Sequence, residues 1–156
     1  MQSSNSNIII RRIRDEKDLQ SIYLIEQIAF RNPYSYELLN ILATFHSEAF
    51  FIAEINGRIV GYIVSVIRRS YIGHILSIAI DPTYRRLGIA SKLIEETETY
   101  FKRRNILVLR LEVRTNNLVA RKFYLKLGFR DGYIIPNYYL DGESAVVMFK
   151  LLRQEK

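Results

Sequence analysis

A basic, glycine-containing segment is the part of this chain best suited to chemistry. Arg85-Arg86-Leu87-Gly88-Ile89-Ala90 lies between a predicted strand and a predicted helix. The first turn of a helix presents free backbone amides and the positive end of the helix dipole, which together bind anions. Gly88 carries no side chain that would block a phosphate group, Ala90 keeps a second contact small, and both arginines add positive charge. The segment therefore indicates a pyrophosphate site, but a tight strand-to-helix turn would require the glycine equally well.

The hydrophobic pattern predicts the elements that position this segment. Asp15 begins a helical pattern that Asn32-Pro33 ends, and Asn56-Gly57 is a strong signal for a hairpin turn. Further predicted helices cover residues 36–45, 89–104 and 117–127, and predicted strands cover 8–13, 50–55, 58–68, 74–80, 107–113, 133–135 and 145–152. Leu107, Leu109, Leu111 and Val113 should face one way along their strand. The resulting order, β-α-α-β-β-β-α-β-α-β-β, is that of a mixed α/β domain.

Composition narrows the classes of protein and site. The chain of 156 residues fits one domain, which we place at residues 8–153 after a disordered lead-in of residues 1–7. It contains no cysteine and only 2 histidines, so we expect no disulfide and no metal site, and the reducing cytoplasm is the expected location. No apolar run is long enough to predict a membrane span.

Charge is distributed unevenly along the chain. Residues 1–70 hold 8 Lys and Arg against 7 Asp and Glu, whereas residues 71–156 hold 15 against 9. A basic half favours an anionic partner, which could be a nucleic acid or a small polyanion such as a nucleotide cofactor.

The segments around the glycine turn resemble the GNAT superfamily of N-acetyltransferases, whose coenzyme motif reads Arg/Gln-x-x-Gly-x-Gly/Ala. Upstream, His74-Ile-Leu-Ser-Ile-Ala-Ile-Asp-Pro-x-Tyr-Arg-Arg is similar to the central strand of that family. Downstream, the second half-motif is matched by Leu111-Glu112-Val113-Arg114, Asn117 and Phe123-Tyr124-x-x-Leu127-Gly128-Phe129. The resemblance covers about the whole chain and implies a mixed central sheet of about six to seven strands with helices on both faces.

The resemblance implies that acetyl-CoA is the cosubstrate and indicates which residues bind it. Backbone groups of residues 78–80 should pair with the pantetheine arm, and amides of residues 86–91 should hold the pyrophosphate. Asn117 and Tyr124, seven residues apart on one helix, should both touch the coenzyme. The full set of predicted coenzyme-binding residues is Ile78, Ala79, Ile80, Arg85, Arg86, Leu87, Gly88, Ile89, Ala90, Ser91, Asn117 and Tyr124.

Three residues are the predicted catalytic groups. Glu112 alternates with the leucines of its strand and points away from their face, where it could accept the proton of an amine. The alternative is an ion pair with Arg110 or Arg114. His74 could help Glu112 or be a satisfied, partly buried histidine. In the family Tyr124 lies near the coenzyme sulfur, and its alternative is core packing beside Phe123.

Two segments resemble the N-terminal protein acetyltransferases, a group that includes the ribosomal-protein alanine enzymes. Residues 137–145, Asn-Tyr-Tyr-Leu-Asp-Gly-Glu-Ser-Ala, are similar to a signature in which paired tyrosines, here Tyr138 and Tyr139, grip the substrate backbone. The alternative is an exposed aromatic hairpin or a dimer edge. Residues 30–36 resemble the loop that shapes the pocket for the first substrate residue, with Tyr34 as the contacting group. Pro33-Tyr34-Ser35 is more similar to the corresponding loop of the bacterial ribosomal-protein alanine acetyltransferases than to that of the N-terminal acetyltransferase A enzymes.

The sequence therefore predicts an enzyme that acetylates protein N-termini by direct transfer in a ternary complex. Expected partners are protein or peptide N-termini, with ribosomal proteins and the ribosome as further candidates, and the expected state is a monomer or weak homodimer without membrane association. One alternative is a GNAT enzyme acting on a small amine or a lysine side chain. A second is a non-catalytic protein that binds the ribosome or nucleic acid.

Overall fold

A computed structural model describes residues 7–153 of the chain. The prediction of a disordered lead-in at residues 1–7 lies outside the described residues, apart from Asn7. The strands are β1 Ile8–Arg12, β2 Phe50–Ile55, β3 Arg58–Arg68, β4 Ile72–Ile80, β5 Val108–Arg114, β6 Arg130–Ile135 and β7 Ala145–Leu151. The helices are α1 Glu16–Ala29, α2 Tyr36–Phe45, α3 Ile89–Arg103 and α4 Leu118–Lys126. This order confirms the predicted one.

All seven strands belong to one mixed sheet in the order β1-β2-β3-β4-β5-β7-β6. Neighbours β1 and β2, β2 and β3, β5 and β7, and β6 and β7 are antiparallel. Strands β4 and β5 are parallel, with His74 opposite Arg110. The predicted fold class, a mixed sheet of six to seven strands combined with helices, is confirmed.

The described residues form two compact units, of which the first contains residues up to Ser65 together with Ser77–Thr97. Its helix α1 begins after Asp15, whose side chain accepts a hydrogen bond from the amide of Asp18. The helix buries Leu19, Ile22 and Ile25 on the face predicted from their spacing. At the β2–β3 hairpin, Asn56 and Gly57 both adopt positive φ, 49° and 80°, as the two-residue turn with matching twist requires.

The second unit contains Val66–Leu76 and the chain from Glu98 onward. Strand β5 alternates between half-buried and buried residues, so Leu109, Leu111 and Val113 face the core as predicted. Leu107 does not: it is 51% exposed, because it precedes the strand and bonds by its amide to the Tyr71 carbonyl. The prediction that Leu107 faces the same way as Leu109 and Leu111 was therefore wrong.

Several predicted boundaries move by one to three residues. Strand β4 begins two residues earlier than predicted and β6 three residues earlier, because neighbouring strands pair with Ile72 and with Arg130. Helix α4 begins one residue later, and Asn117 is its N-cap, accepting a hydrogen bond from the Ala120 amide. Within residues 7–153, no helix has both the length and the apolar character needed to cross a bilayer.

Candidate active site

Glu112 and His74 form a hydrogen-bonded pair in the second unit. Glu112 lies on β5, on the face opposite the buried leucines, and His74 lies on the parallel strand β4. The His74 Nε2 atom is 2.7 Å from Glu112 Oε2, and the two side chains are only 10% and 8% exposed. The alternation of β5 therefore brings the predicted carboxylate and the predicted histidine together, away from bulk water.

Two arginines donate hydrogen bonds to this pair, one to each residue. Arg68 Nε donates to His74 Nδ1 at 2.9 Å, and Arg110 Nε donates to Glu112 Oε1 at 2.8 Å. Because an arginine nitrogen can only donate, Nδ1 of His74 must accept, and the ring proton of neutral His74 then lies on Nε2. His74 therefore donates to Glu112, and both carboxylate oxygens of Glu112 receive a hydrogen bond.

The surroundings of Glu112 keep its carboxylate ionised. Burial by itself would raise the pKa of Glu112, but the hydrogen bonds from His74 and Arg110 and the charge of the Arg110 guanidinium outweigh it and hold the pKa below its ordinary value. The ion pair proposed as the alternative reading thus forms with Arg110, whereas Arg114 bonds to Asp141 and Glu143 instead. An ionised acceptor in a largely dry setting is also what proton removal from an amine requires.

Tyr124 is a half-buried phenol on α4. Its ring packs edge-on against Phe123 and Phe129, with centroids 5.3 Å and 5.7 Å away. Removal of the hydroxyl from water raises the pKa of Tyr124 to about 12, so the group stays protonated at neutral pH and can donate a hydrogen bond. Asn117 uses its side-chain oxygen to cap α4 and is not inside the helix, so the predicted shared helical face of Asn117 and Tyr124 needs that correction.

The two tyrosines of the predicted peptide grip lie in the loop between β6 and β7. Their rings meet edge to face at 5.0 Å, and Tyr138 is 46% exposed. The guanidinium of Arg114 lies 4.0 Å from the ring centre of Tyr139. Burial, and then the charge of Glu112, raise the pKa of Tyr138, so this hydroxyl lies within electrostatic range of the His74–Glu112 pair. The loop therefore presents one exposed phenol beside the buried pair.

The predicted phosphate segment belongs to the first unit. Gly88 has φ of +77° and immediately precedes α3, and a Cβ added there would meet no atom within 4 Å. The glycine is thus required by the backbone conformation, and the space beside it is open. The first turn of α3 contains no acidic residue, and Arg85 and Arg86 are exposed. Free amides, an unopposed helix dipole and two cations fit a pyrophosphate group.

Glu26 is a second buried carboxylate, also in the first unit. It is 2% exposed, and Oε1 accepts a hydrogen bond of 3.0 Å from the backbone amide of Tyr34. The hydroxyl groups of Tyr62 and Ser77 bond to Oε2. Glu26 thereby holds the half-buried Tyr34 and the loop before α2, the loop predicted to shape the acceptor pocket.

Sequence reasoning missed two of these residues, Glu26 and Arg68. Glu26 follows Ile22 by four positions, so it occupies the buried face of α1, and a carboxylate at a position that the helical spacing assigns to the buried face is the signal that could have found it. Arg68 offers no comparable signal, because it reaches His74 across the β3–β4 turn, six residues along the chain. His74, Glu112, Tyr138 and Tyr139 all lie in the second unit.

Comparison with known proteins supplies the family context. Residues 18–129 match the acetyltransferase (GNAT) family. An uncharacterised N-acetyltransferase of Methanocaldococcus jannaschii is 40% identical over 144 residues, 92% of this chain and 91% of that one. An N-alpha-acetyltransferase of Sulfurisphaera tokodaii is 34% identical, covering 88% of this chain and 90% of its own. The crystal structure of Ard1 from Thermoplasma volcanium superposes with a TM-score of 0.90 at 33% identity, covering 94% of this chain and 99% of that one.

Proposed function

Because the chain belongs to the acetyltransferase (GNAT) family, it is an enzyme that transfers acetyl groups from acetyl-CoA, and we propose that its acceptor is the N-terminal amine of a protein or peptide. The observation that carries this proposal is the buried, ionised Glu112 paired with His74, beside the exposed phenol of Tyr138. The relative from Sulfurisphaera tokodaii, named an N-alpha-acetyltransferase, supports it.

Glu112 is proposed as the base. A terminal amine has an ordinary pKa of about 7.7–8.0, so at neutral pH a large part of it carries a proton that must leave before attack. Glu112 is ionised and can accept that proton, directly or through one water molecule. In this scheme His74 holds Oε2 and Arg110 holds Oε1, so the carboxylate keeps one orientation.

Tyr124 is proposed as the hydrogen-bond donor to the coenzyme sulfur. Acetyl-CoA supplies the thioester from which the acetyl group is transferred. The Tyr124 hydroxyl, with a pKa of about 12, keeps its proton and can donate a hydrogen bond to the sulfur as negative charge develops there. The rings of Phe123 and Phe129 restrict the phenol to one orientation.

Coenzyme binding is proposed for the turn before α3 and the end of β4. The amides of residues 86–91 would hold the pyrophosphate, with Arg85 and Arg86 adding charge and Gly88 giving the turn its shape. Backbone groups of residues 78–80 would pair with the pantetheine arm. Since the chain has no cysteine to carry an acetyl group, we expect direct transfer within a ternary complex.

Acceptor binding is proposed for three tyrosines. Tyr138 and Tyr139 would bond to the peptide backbone of the acceptor without reading its side chains, which suits many N-termini. Tyr34, held through its backbone by Glu26, would contact the first side chain. Ribosomal proteins as targets, action of residues 8–153 as one domain, and a cytoplasmic location stay predictions.

The decisive experiment compares acceptors that differ only in the position of the free amine. Purified enzyme and labelled acetyl-CoA are offered peptides with a free N-terminus, the same peptides with a blocked N-terminus and one lysine, and polyamines. We expect label on the N-terminal residue of the first group alone, identified by mass spectrometry. Transfer to lysine or to polyamines at equal or higher kcat/KM would contradict the proposal and favour the alternative acceptor classes.

A further inference from the structure

A cavity of about 770 Å³ opens in the second unit beside the His74–Glu112 pair. Three arginines, Arg68, Arg69 and Arg110, line it, and no aspartate or glutamate among residues 7–153 does. The remaining lining residues are apolar or aromatic: Ile67, Tyr71, Ile72, Tyr133 and Phe149. The cavity thus combines a concentrated positive charge with walls that suit the methylene groups of a side chain.

The charge of this cavity is largely unneutralised. Within residues 7–153, neither Arg68 nor Arg69 forms an ion pair, and the bond that Arg68 donates goes to the neutral ring of His74. Arg110 is paired with Glu112, but only through Nε. Two exposed guanidinium groups without a carboxylate partner, set in one concavity, attract an anion by direct charge and by bidentate hydrogen bonding.

Arg68 and Arg110 belong both to the cavity and to the catalytic pair. Each uses its Nε atom to hold His74 or Glu112, which leaves the terminal guanidinium nitrogens for a ligand in the cavity. The charges of the same two arginines act on the Tyr138 hydroxyl. A peptide held at Tyr138 with its amine at Glu112 would therefore have its following residues within reach of the cavity.

We propose that this cavity, the arginine subsite, binds a carboxylate side chain within the first few residues after the acetylated one, so that the enzyme prefers acceptors with an acidic second or third residue. The inference rests on the proposed function, since it requires a peptide acceptor. The cavity is large enough to hold several residues of a bound peptide. A nucleic acid would instead need cations spread along an extended face to follow its backbone.

Arg69 is the residue that tests the subsite without disturbing the catalytic pair. It lines the cavity but, within residues 7–153, forms no hydrogen bond or ion pair with His74 or Glu112. Its φ is +51°, so Arg69→Asn keeps a residue that tolerates this backbone conformation. Arg103→Asn, at the exposed end of α3, removes the same charge elsewhere and serves as the matched control.

The experiment measures kcat/KM for pairs of peptides that differ only by Glu or Gln at residues two and three. We expect wild type and Arg103→Asn to favour the acidic peptide about tenfold, the order expected for a hydrogen bond to a charged group. Arg69→Asn should reduce this ratio to about twofold or less, and salt should reduce it in wild type.

Equal kcat/KM for both peptides in wild type, or an unchanged ratio in Arg69→Asn, would overturn the subsite. So would a short RNA that competes with peptide in wild type but not in Arg69→Asn, since the cavity would then bind nucleic acid. The salt series in wild type tests the same point if Arg69→Asn fails to fold. Failure of the proposed function looks different, because then no peptide N-terminus is acetylated at all.

Discussion

Glu26 and Glu112 are both carboxylates withdrawn from water, and the protein shifts their pKa values in opposite directions. Burial raises the pKa of Glu26, and its hydrogen bonds from the Tyr34 amide and the Ser77 hydroxyl do not offset that cost. Burial also acts on Glu112, but a guanidinium and an imidazole bond to it and lower its pKa. Within residues 7–153, no cation bonds to Glu26. The kind of donor, more than the depth of burial, sets the charge of each carboxylate.

This contrast distinguishes a carboxylate with a structural role, Glu26, from the proposed catalytic base, Glu112. Glu26 ties together backbone and hydroxyl groups of the first unit, a role in which a neutral acid serves as well as an anion. Glu112 must be an anion to accept a proton, and the donors around it maintain that state. Substitutions at the two positions should therefore change different measurable quantities.

The largest effect is expected at Glu112. Glu112→Gln keeps the shape but cannot accept a proton, so kcat should fall by about 10²–10⁴-fold with little change in acetyl-CoA affinity. The defect should shrink at high pH, where more of the amine arrives neutral. Steady-state kinetics across about pH 6 to 9 and calorimetry with the coenzyme check this. Wild-type kcat throughout that range would assign the base to His74 or to bulk water.

Removal of the Glu26 side chain should cost stability. Glu26→Ala removes the carboxylate that accepts from the buried hydroxyl groups of Tyr62 and Ser77, which keep only each other as partners, and we expect a loss of about 1–3 kcal/mol in the free energy of unfolding. Urea unfolding measures it. The KM for acceptor peptides should rise as well, because Tyr34 loses its anchor, whereas kcat should fall far less than in Glu112→Gln. A kcat loss equal to that of Glu112→Gln would show that the two carboxylates do not have separate roles.

Arg110→Gln should shift the pKa of Glu112 upward, in the direction in which the pKa of Glu26 is already shifted. Without its guanidinium donor, the pKa of Glu112 should move upward, and the acid limb of the kcat/KM profile should move to higher pH with it. Activity near pH 9 should suffer less than activity near pH 6. An acid limb that stays in place would mean that a group other than Glu112 controls it.

The smallest effect concerns the pH dependence of stability. A raised pKa in the folded state means that Glu26 stabilises the fold when protonated, and that this contribution is lost as pH rises through its folded pKa. Glu26→Gln should remove that loss, so its Tm relative to wild type should increase with pH. Glu112 has the opposite sign: its contribution is lost as pH falls through its lowered pKa. Parallel Tm curves for wild type and Glu26→Gln would indicate that Glu26 stays charged throughout.

The sequence predicted the order of elements and the face of β5 that carries Glu112, because those features depend on local spacing. Alternation along β5 places Glu112 opposite the leucines, and Asn56-Gly57 sets its hairpin by turn chemistry alone. The exposure of Leu107 and the early start of β6 depend on partners far along the chain. Arg68 was missed for the same reason, because only strand pairing reveals which side chain reaches His74.

The ion pairs of Arg114 make the loop between β6 and β7, which carries Tyr138 and Tyr139, sensitive to ionic strength. Arg114 bonds to Asp141 and Glu143 while its guanidinium covers the ring of Tyr139, and Glu143 also accepts from the Asn116 amide. These side chains are partly exposed, so dissolved ions screen their attraction. The order of the loop is therefore set in part by the surrounding electrolyte, and added salt should loosen it while the edge-on packing of the Tyr124 ring stays intact.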